Sequence, residues 1–177
     1  MEKHSPMFRV IDGAHEIVGN LEKDKLFGAF MRQRRGSVGF SRLDMPRSYL
    51  YPVIYPNDAE GTVIGQFAWN KLPAVSVKNM DGYTSIYCGS KYMTADFFRE
   101  TARFAGCHIW EESGHVFHAN KNFVTIHGAH SGDVTIKFPK KCCPYELYEE
   151  KYYGSNVPEI SFYITKGETK MFHLKGE

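Results

Sequence analysis

The sequence is poor in several of the features that announce a chemistry. Its four cysteines are Cys88, Cys107 and the adjacent Cys142 and Cys143, and none forms a C-x-x-C pair. Zinc ribbons and disulfide frameworks need thiols at short regular spacings, and adjacent cysteines rarely bridge each other, so both are excluded and all four thiols are expected to be reduced. No run approaches the roughly 20 apolar residues that cross a bilayer, and the opening Glu2, Lys3 and His4 lack the apolar stretch of a signal peptide. The chain is therefore expected to be soluble, cytoplasmic if complete as it stands, and without a membrane partner. Neither sign of charge dominates, with 22 basic against 20 acidic side chains. Duplex nucleic acid requires a clustered basic excess, and the one dense run, Arg32, Arg34 and Arg35 beside Gly36, reads as a solvated loop. No nucleic-acid partner is expected. Gly82 and Gly89 are isolated, so there is no phosphate-cradling loop, and Cys88-Gly-Ser90 and Glu112-Ser-Gly114 lack the G-x-S-x-G frame of a serine nucleophile. No cofactor is expected.

Aromatic residues, by contrast, are abundant: 13 Phe, 11 Tyr and 2 Trp make up 15% of the chain. Together with the balanced charge they exclude a disordered tail. At this length a core can bury roughly 70% of the unfolded chain's surface, enough for one ordinary domain or two small ones without metals or disulfides.

Along the chain the first 45 residues are the least regular, with a helix expected around Lys25 to Arg32. Tyr49 to Tyr55, Thr62 to Phe67, Pro73 to Lys78 and Tyr83 to Cys88 are rich in aromatic and β-branched residues and read as strands, the last two joined by a hairpin at Asp81-Gly82. The period then changes from two to 3.6. Thr94 is placed as an N-cap, Asp96 sits in the first turn, and Phe97, Phe98, Thr101, Ala102, Phe104 and Ala105 form an apolar face that leaves Arg99, Glu100 and Arg103 in water, with Gly106 at C′. A short strand at Cys107 to Trp110 follows, so Tyr83 to Trp110 has the order of a βαβ unit. Beyond Glu111, six short strands (His115–Ala119, Asn122–His127, Asp133–Phe138, Pro144–Tyr148, Glu159–Ile164 and Thr169–Leu174) recur about every ten residues, the spacing of a small antiparallel sandwich or barrel. The expected domains are residues 1–110, α/β, and 111–177, all-β.

Taken in order, Pro73 to Lys78, Tyr83 to Gly89, Phe98 to Gly106, Asn120 to His127 and Glu168 to Leu174 resemble the C-terminal region of bacterial glycoside hydrolases of the TIM-barrel β-galactosidase group. In that group the barrel is followed by a flavodoxin-like module, related to class I glutamine amidotransferases and used for trimerisation, and then by a small β domain. His15 to Leu21 and Val63 to Phe67 are similar to segments of that module. The resemblance implies a partial flavodoxin-like (amidotransferase-like) α/β module followed by an antiparallel β-sandwich, acting as a non-catalytic accessory or oligomerisation module in carbohydrate metabolism. Its partners would be further copies, a separately encoded barrel, or carbohydrate.

Candidate sites divide by residue type. Tyr49, Tyr51 and Tyr55 share one face of a strand, and Tyr145, Tyr148, Tyr152 and Tyr153 cluster near another; rings with a polar tip serve subunit contacts or stack on sugars. His115, His118, His127 and His130 fall on neighbouring strands, but residues three apart point to opposite faces, so a shared metal ion is disfavoured and none is expected. Glu111-Glu112 and Glu149-Glu150 are adjacent pairs, the wrong geometry for two carboxylates flanking one glycosidic bond. The alternatives are a carbohydrate-binding module, and a hydrolase or amidotransferase-like enzyme acting through Cys88 or the histidines, although Cys88 lacks a glycine two positions earlier and a downstream His-x-Glu.

Overall fold

A computed structural model describes residues 5–28, 52–90 and 93–176. The chain separates into two compact units, residues 1–106 and 107–177.

The N-terminal unit is built on a four-stranded antiparallel sheet, β1 (Phe8–Val10), β2 (Thr62–Phe67), β3 (Pro73–Met80) and β4 (Tyr83–Cys88), ordered as they occur in the chain. Asp81 and Gly82 form the two-residue loop between β3 and β4, with Met80 opposite Tyr83 and Gly82 at φ +81°. Ala74, Val75, Ser76 and Val77 are buried in succession, so β3 is covered on both faces. One helix, α1 (Ala95–Phe104), lays Phe97 against Phe8 and Phe27 edge-on, at ring distances of 5.7 and 6.3 Å, and Gly106 beyond it takes the left-handed conformation at φ +72°.

The C-terminal unit is all β: β5 (Val116–Ala119), β6 (Phe123–His127), β7 (Gly132–Glu146), β8 (Lys151–Tyr152), β9 (Val157–Ile164) and β10 (Thr169–Lys175). β5, β6, β10, the end of β7 and β8 form one antiparallel sheet, while the first half of β7 pairs with β9. β7 therefore serves both pairings. Val124 and Ile126 of β6 and Phe172 of β10 pack with Val134 and Ile136 of β7 and Ile160 and Ile164 of β9 in one cluster.

These strand pairings overturn the flavodoxin-like, amidotransferase-like α/β module expected over residues 1–110. Every pairing among the described residues of the N-terminal unit is antiparallel, and Cys107–Trp110 enters no ladder, so the strand, helix, strand order of Tyr83 to Trp110 builds no parallel crossover. A two-residue loop such as Asp81-Gly82 can join only antiparallel neighbours, and it outweighs the apparent βαβ period. Lys25 to Gly28 forms no helix, Phe27 bridging Phe8 and Gly28 taking a φ of +75°, and the rest of the helix expected to Arg32 lies outside the described residues. Pro52 to Tyr55 forms no strand, and Tyr49 and Tyr51 also lie outside them. The helix face is rotated too: Glu100 is buried while Phe98 is 56% exposed. Asn20 donates to Glu100 Oε2 at 3.0 Å and Arg103 pairs with Oε1, which satisfies the inward carboxylate. The strands expected at Asp133–Phe138 and Pro144–Tyr148 fuse into β7, because Pro139 falls where pairing shifts register between Lys137 and Cys142 and therefore withholds no ladder hydrogen bond.

Among the described residues no helix is long and apolar enough to cross a membrane.

Candidate functional site

The register shift in β7 shapes a surface cleft. Between Lys137, paired with Glu159, and Cys142, paired with Val157, the strand leaves its partner β9, and Lys140 and Lys141 stand exposed. Facing them is the β5–β6 turn. There Asn120 Oδ1 accepts from the backbone N–H groups of Asn122 and Phe123 at 2.9 and 2.8 Å, and Leu174 N donates to Asn122 O at 2.7 Å, so Lys121 projects from a braced turn. The apolar part is Trp110, Phe138 and Leu174. Trp110 belongs to no strand, but its carbonyl accepts from Lys137 N at 2.9 Å and His108 Nε2 donates to Lys137 O at 2.8 Å, which ties the segment to β7. The indole meets Phe138 edge-on at 6.4 Å and Phe117 at 6.2 Å. The cleft encloses about 450 Å³, within the range of small-ligand sites. The sequence places Trp110 at the end of an expected strand; only the tether to Lys137 and the bend in β7 bring it beside the three lysines.

The tyrosines singled out from sequence are dispersed. Tyr55 is exposed in an irregular segment. Tyr145 and Tyr152 face each other across β7 and β8 with rings 4.9 Å apart, and Lys175 Nζ lies 4.6 and 5.0 Å from their centroids. Tyr152 Oη receives a hydrogen bond from that amine at 2.8 Å, which raises the lysine's pKa above its ordinary range. This clamp borders a second hollow of about 510 Å³, lined by Cys143, Tyr152, Gly154, Ser155 and Lys175. Tyr148 stands 66% exposed at the β7–β8 turn. Tyr153 packs edge-on against Phe172 and Phe162, and its hydroxyl donates to Glu149 at 2.9 Å.

Two of the four histidines meet. The rings of His115 and His130 are 4.3 Å apart; His115 is buried and its Nδ1 accepts from Ala129 N at 3.3 Å, while His130 Nε2 donates to Ser113 O at 3.1 Å. His127 instead contacts Thr169 Oγ1 at 2.8 Å, and His118 is exposed on β5. Among the described residues no three His, Cys, Asp or Glu side chains are grouped to hold a metal ion. All four cysteines are free. Burial pushes the Cys88 thiol up, which keeps it protonated and weakly nucleophilic at neutral pH.

A polar cluster that the sequence did not announce lies on the inward face of the C-terminal sheet. Glu146, fully buried, accepts from Met171 N at 3.0 Å and Glu149 N at 2.5 Å, tying the β7–β8 turn to β10. Lys170, also buried, pairs with Glu149 and, at 3.2 Å, with Glu168. Hydrogen bonds from Lys151, Lys170 and Tyr153 hold the Glu149 carboxyl down at about 2. Burial alone would lower the Lys170 pKa, but its bonds to Glu149, Tyr153 and Glu168 prevail and raise it.

No protein-family model and no curated protein matches the chain. Among solved structures it is similar to a β-galactosidase from Bacillus circulans sp. alkalophilus, with a TM-score of 0.44 and 12% identity. The match covers 65% of this chain and 18% of that one. The flavodoxin-like module expected from the sequence is overturned by the strand order.

Proposed function

We propose that the chain is a non-catalytic accessory module of a carbohydrate-active enzyme, and that its C-terminal unit holds glycan in the Trp110 cleft. The observation that carries this reading is the composition of the cleft: an indole and a phenyl ring beneath a rim of Asn120, Asn122 and three lysines. Sugars present an apolar C–H face and a polar edge of hydroxyls, and an aromatic floor with amide and amine donors around it meets both. The four carboxyls with a shifted pKa do not suit the general-acid role in glycosidic cleavage. General acids for that reaction are carboxyls with raised pKa, whereas Asp58, Asp96, Glu149 and Glu168 are all held below the ordinary carboxylate range by their hydrogen bonds. The most strongly lowered of them, Glu149, is fixed between Lys151 and Lys170.

Affinity electrophoresis in gels containing galactan, xylan or polygalacturonate tests the reading. Retardation in at least one gel is expected, reduced about tenfold in affinity by Trp110→Ala, with unchanged far-ultraviolet circular dichroism as the control for folding. Wild-type mobility unaltered across the whole panel contradicts it.

A further inference from the structure

The lysines of the cleft go beyond a general affinity for sugar. Lys121 comes from the β5–β6 turn and Lys140 and Lys141 from the opposite wall, where β7 leaves β9, so positive charge approaches the aromatic floor from two sides. Among the described residues no carboxylate lines the cleft, and none of these three lysines is in an ion pair. This is a local segregation and not a surplus, since residues 107–177 carry nine acidic and eight basic side chains. Elsewhere in the unit Lys137, Lys151 and Lys170 each have a carboxylate partner. Unpaired like charges held around an apolar floor repel one another, and an anionic ligand relieves that repulsion.

We infer that the cleft selects anionic glycan, a uronate or sulfated sugar whose ring lies on Trp110 while Lys121, Lys140 and Lys141 surround its charged group. The inference rests on the glycan-binding reading above and narrows its ligand class. Three exposed amines in an accessible site together supply about a tenfold preference over an uncharged sugar of the same shape. Raising the salt from 10 mM to 1 M shrinks the screening length from about 30 to about 3 Å, and that preference should fade over this range while ring contacts persist.

Isothermal titration of the full chain with oligogalacturonate and with its fully methyl-esterified form separates charge from shape, because esterification removes the charge alone. Dextran sulfate against dextran repeats the contrast for sulfate, and a single-stranded oligonucleotide serves as a polyanion with stacking bases. The inference predicts about tenfold tighter binding of the charged member of at least one pair, loss of that margin in 1 M salt, and its loss in Lys140→Ala/Lys141→Ala with the esterified form still bound. Equal affinity within both pairs overturns the charge selection and leaves the glycan reading standing. Binding of no saccharide overturns both. An oligonucleotide bound more tightly than every saccharide replaces glycan with single-stranded nucleic acid.

Discussion

The two units close their interiors by different means. In the N-terminal unit the centre is aromatic: Phe8, Phe27, Phe67 and Phe97 are fully buried, with Phe8 and Phe27 stacked at 5.6 Å and Phe97 edge-on to both. Most of its ion pairs lie at the surface, such as Lys23 with Asp12. In the C-terminal unit a largely aliphatic cluster shares its inward face with a carboxylate and an ammonium, Glu146 and Lys170. Shape complementarity among rings orders the first interior. In the second, hydrogen bonds to Glu146 and Lys170 order the turn and strand beside the core.

If that contrast is right, the two interiors should fail differently. Phe97→Ala removes the ring that both Phe8 and Phe27 contact edge-on and is expected to cost about 3–5 kcal/mol, read as lost hydrogen-exchange protection in β2 and β3. Glu146→Ala leaves the part-buried N–H groups of Met171 and Glu149 without their side-chain acceptor; a loss of about 1–3 kcal/mol is expected in urea unfolding, with protection lost first at the β7–β8 turn. Glu146→Gln keeps one acceptor oxygen and should cost roughly half as much. If Glu146→Ala were neutral, the C-terminal interior would be apolar in its energetics after all. The smallest effect is on acid sensitivity. The Glu149 carboxyl is lowered from its ordinary 4.5 to about 2, so its contribution is complete above pH 4.5 and disappears as pH falls through that interval. Glu149→Gln should therefore lower stability at pH 7 and flatten its fall between pH 4.5 and 2, measured by urea titrations at successive pH values.

Local chemistry was legible in the sequence wherever neighbours decide the outcome. The Asp81-Gly82 hairpin and the α1 helix with Gly106 beyond its end depend on residues a few positions apart. The helix face was not legible to the last residue, because the partner that admits Glu100 to the interior is Asn20, eighty positions away. The parity of β10 held a signal that hydrophobicity obscured: Lys170 shares the inward face with Phe172 opposite the β6 residues Ile126 and Val124, so an apparently solvated lysine was due to be buried. The βαβ reading failed at Cys107–Trp110, where apolar character suggested a strand but a single backbone bond to Lys137 and the His108 side chain hold the segment instead. The cleft was least legible of all. Its parts come from a turn, a register shift and a tethered loop, and no spacing in the sequence predicts that β7 will bend between Lys137 and Cys142.

The most direct test is a ¹H–¹⁵N correlation titration of the chain with oligogalacturonate. The account predicts concentration-dependent shifts at the Trp110 indole N–H, the Asn120 and Asn122 side-chain amides and the backbone of Lys140 and Lys141. Shifts confined to the hollow beside Tyr152 and Lys175, or none with any saccharide tried, would contradict it.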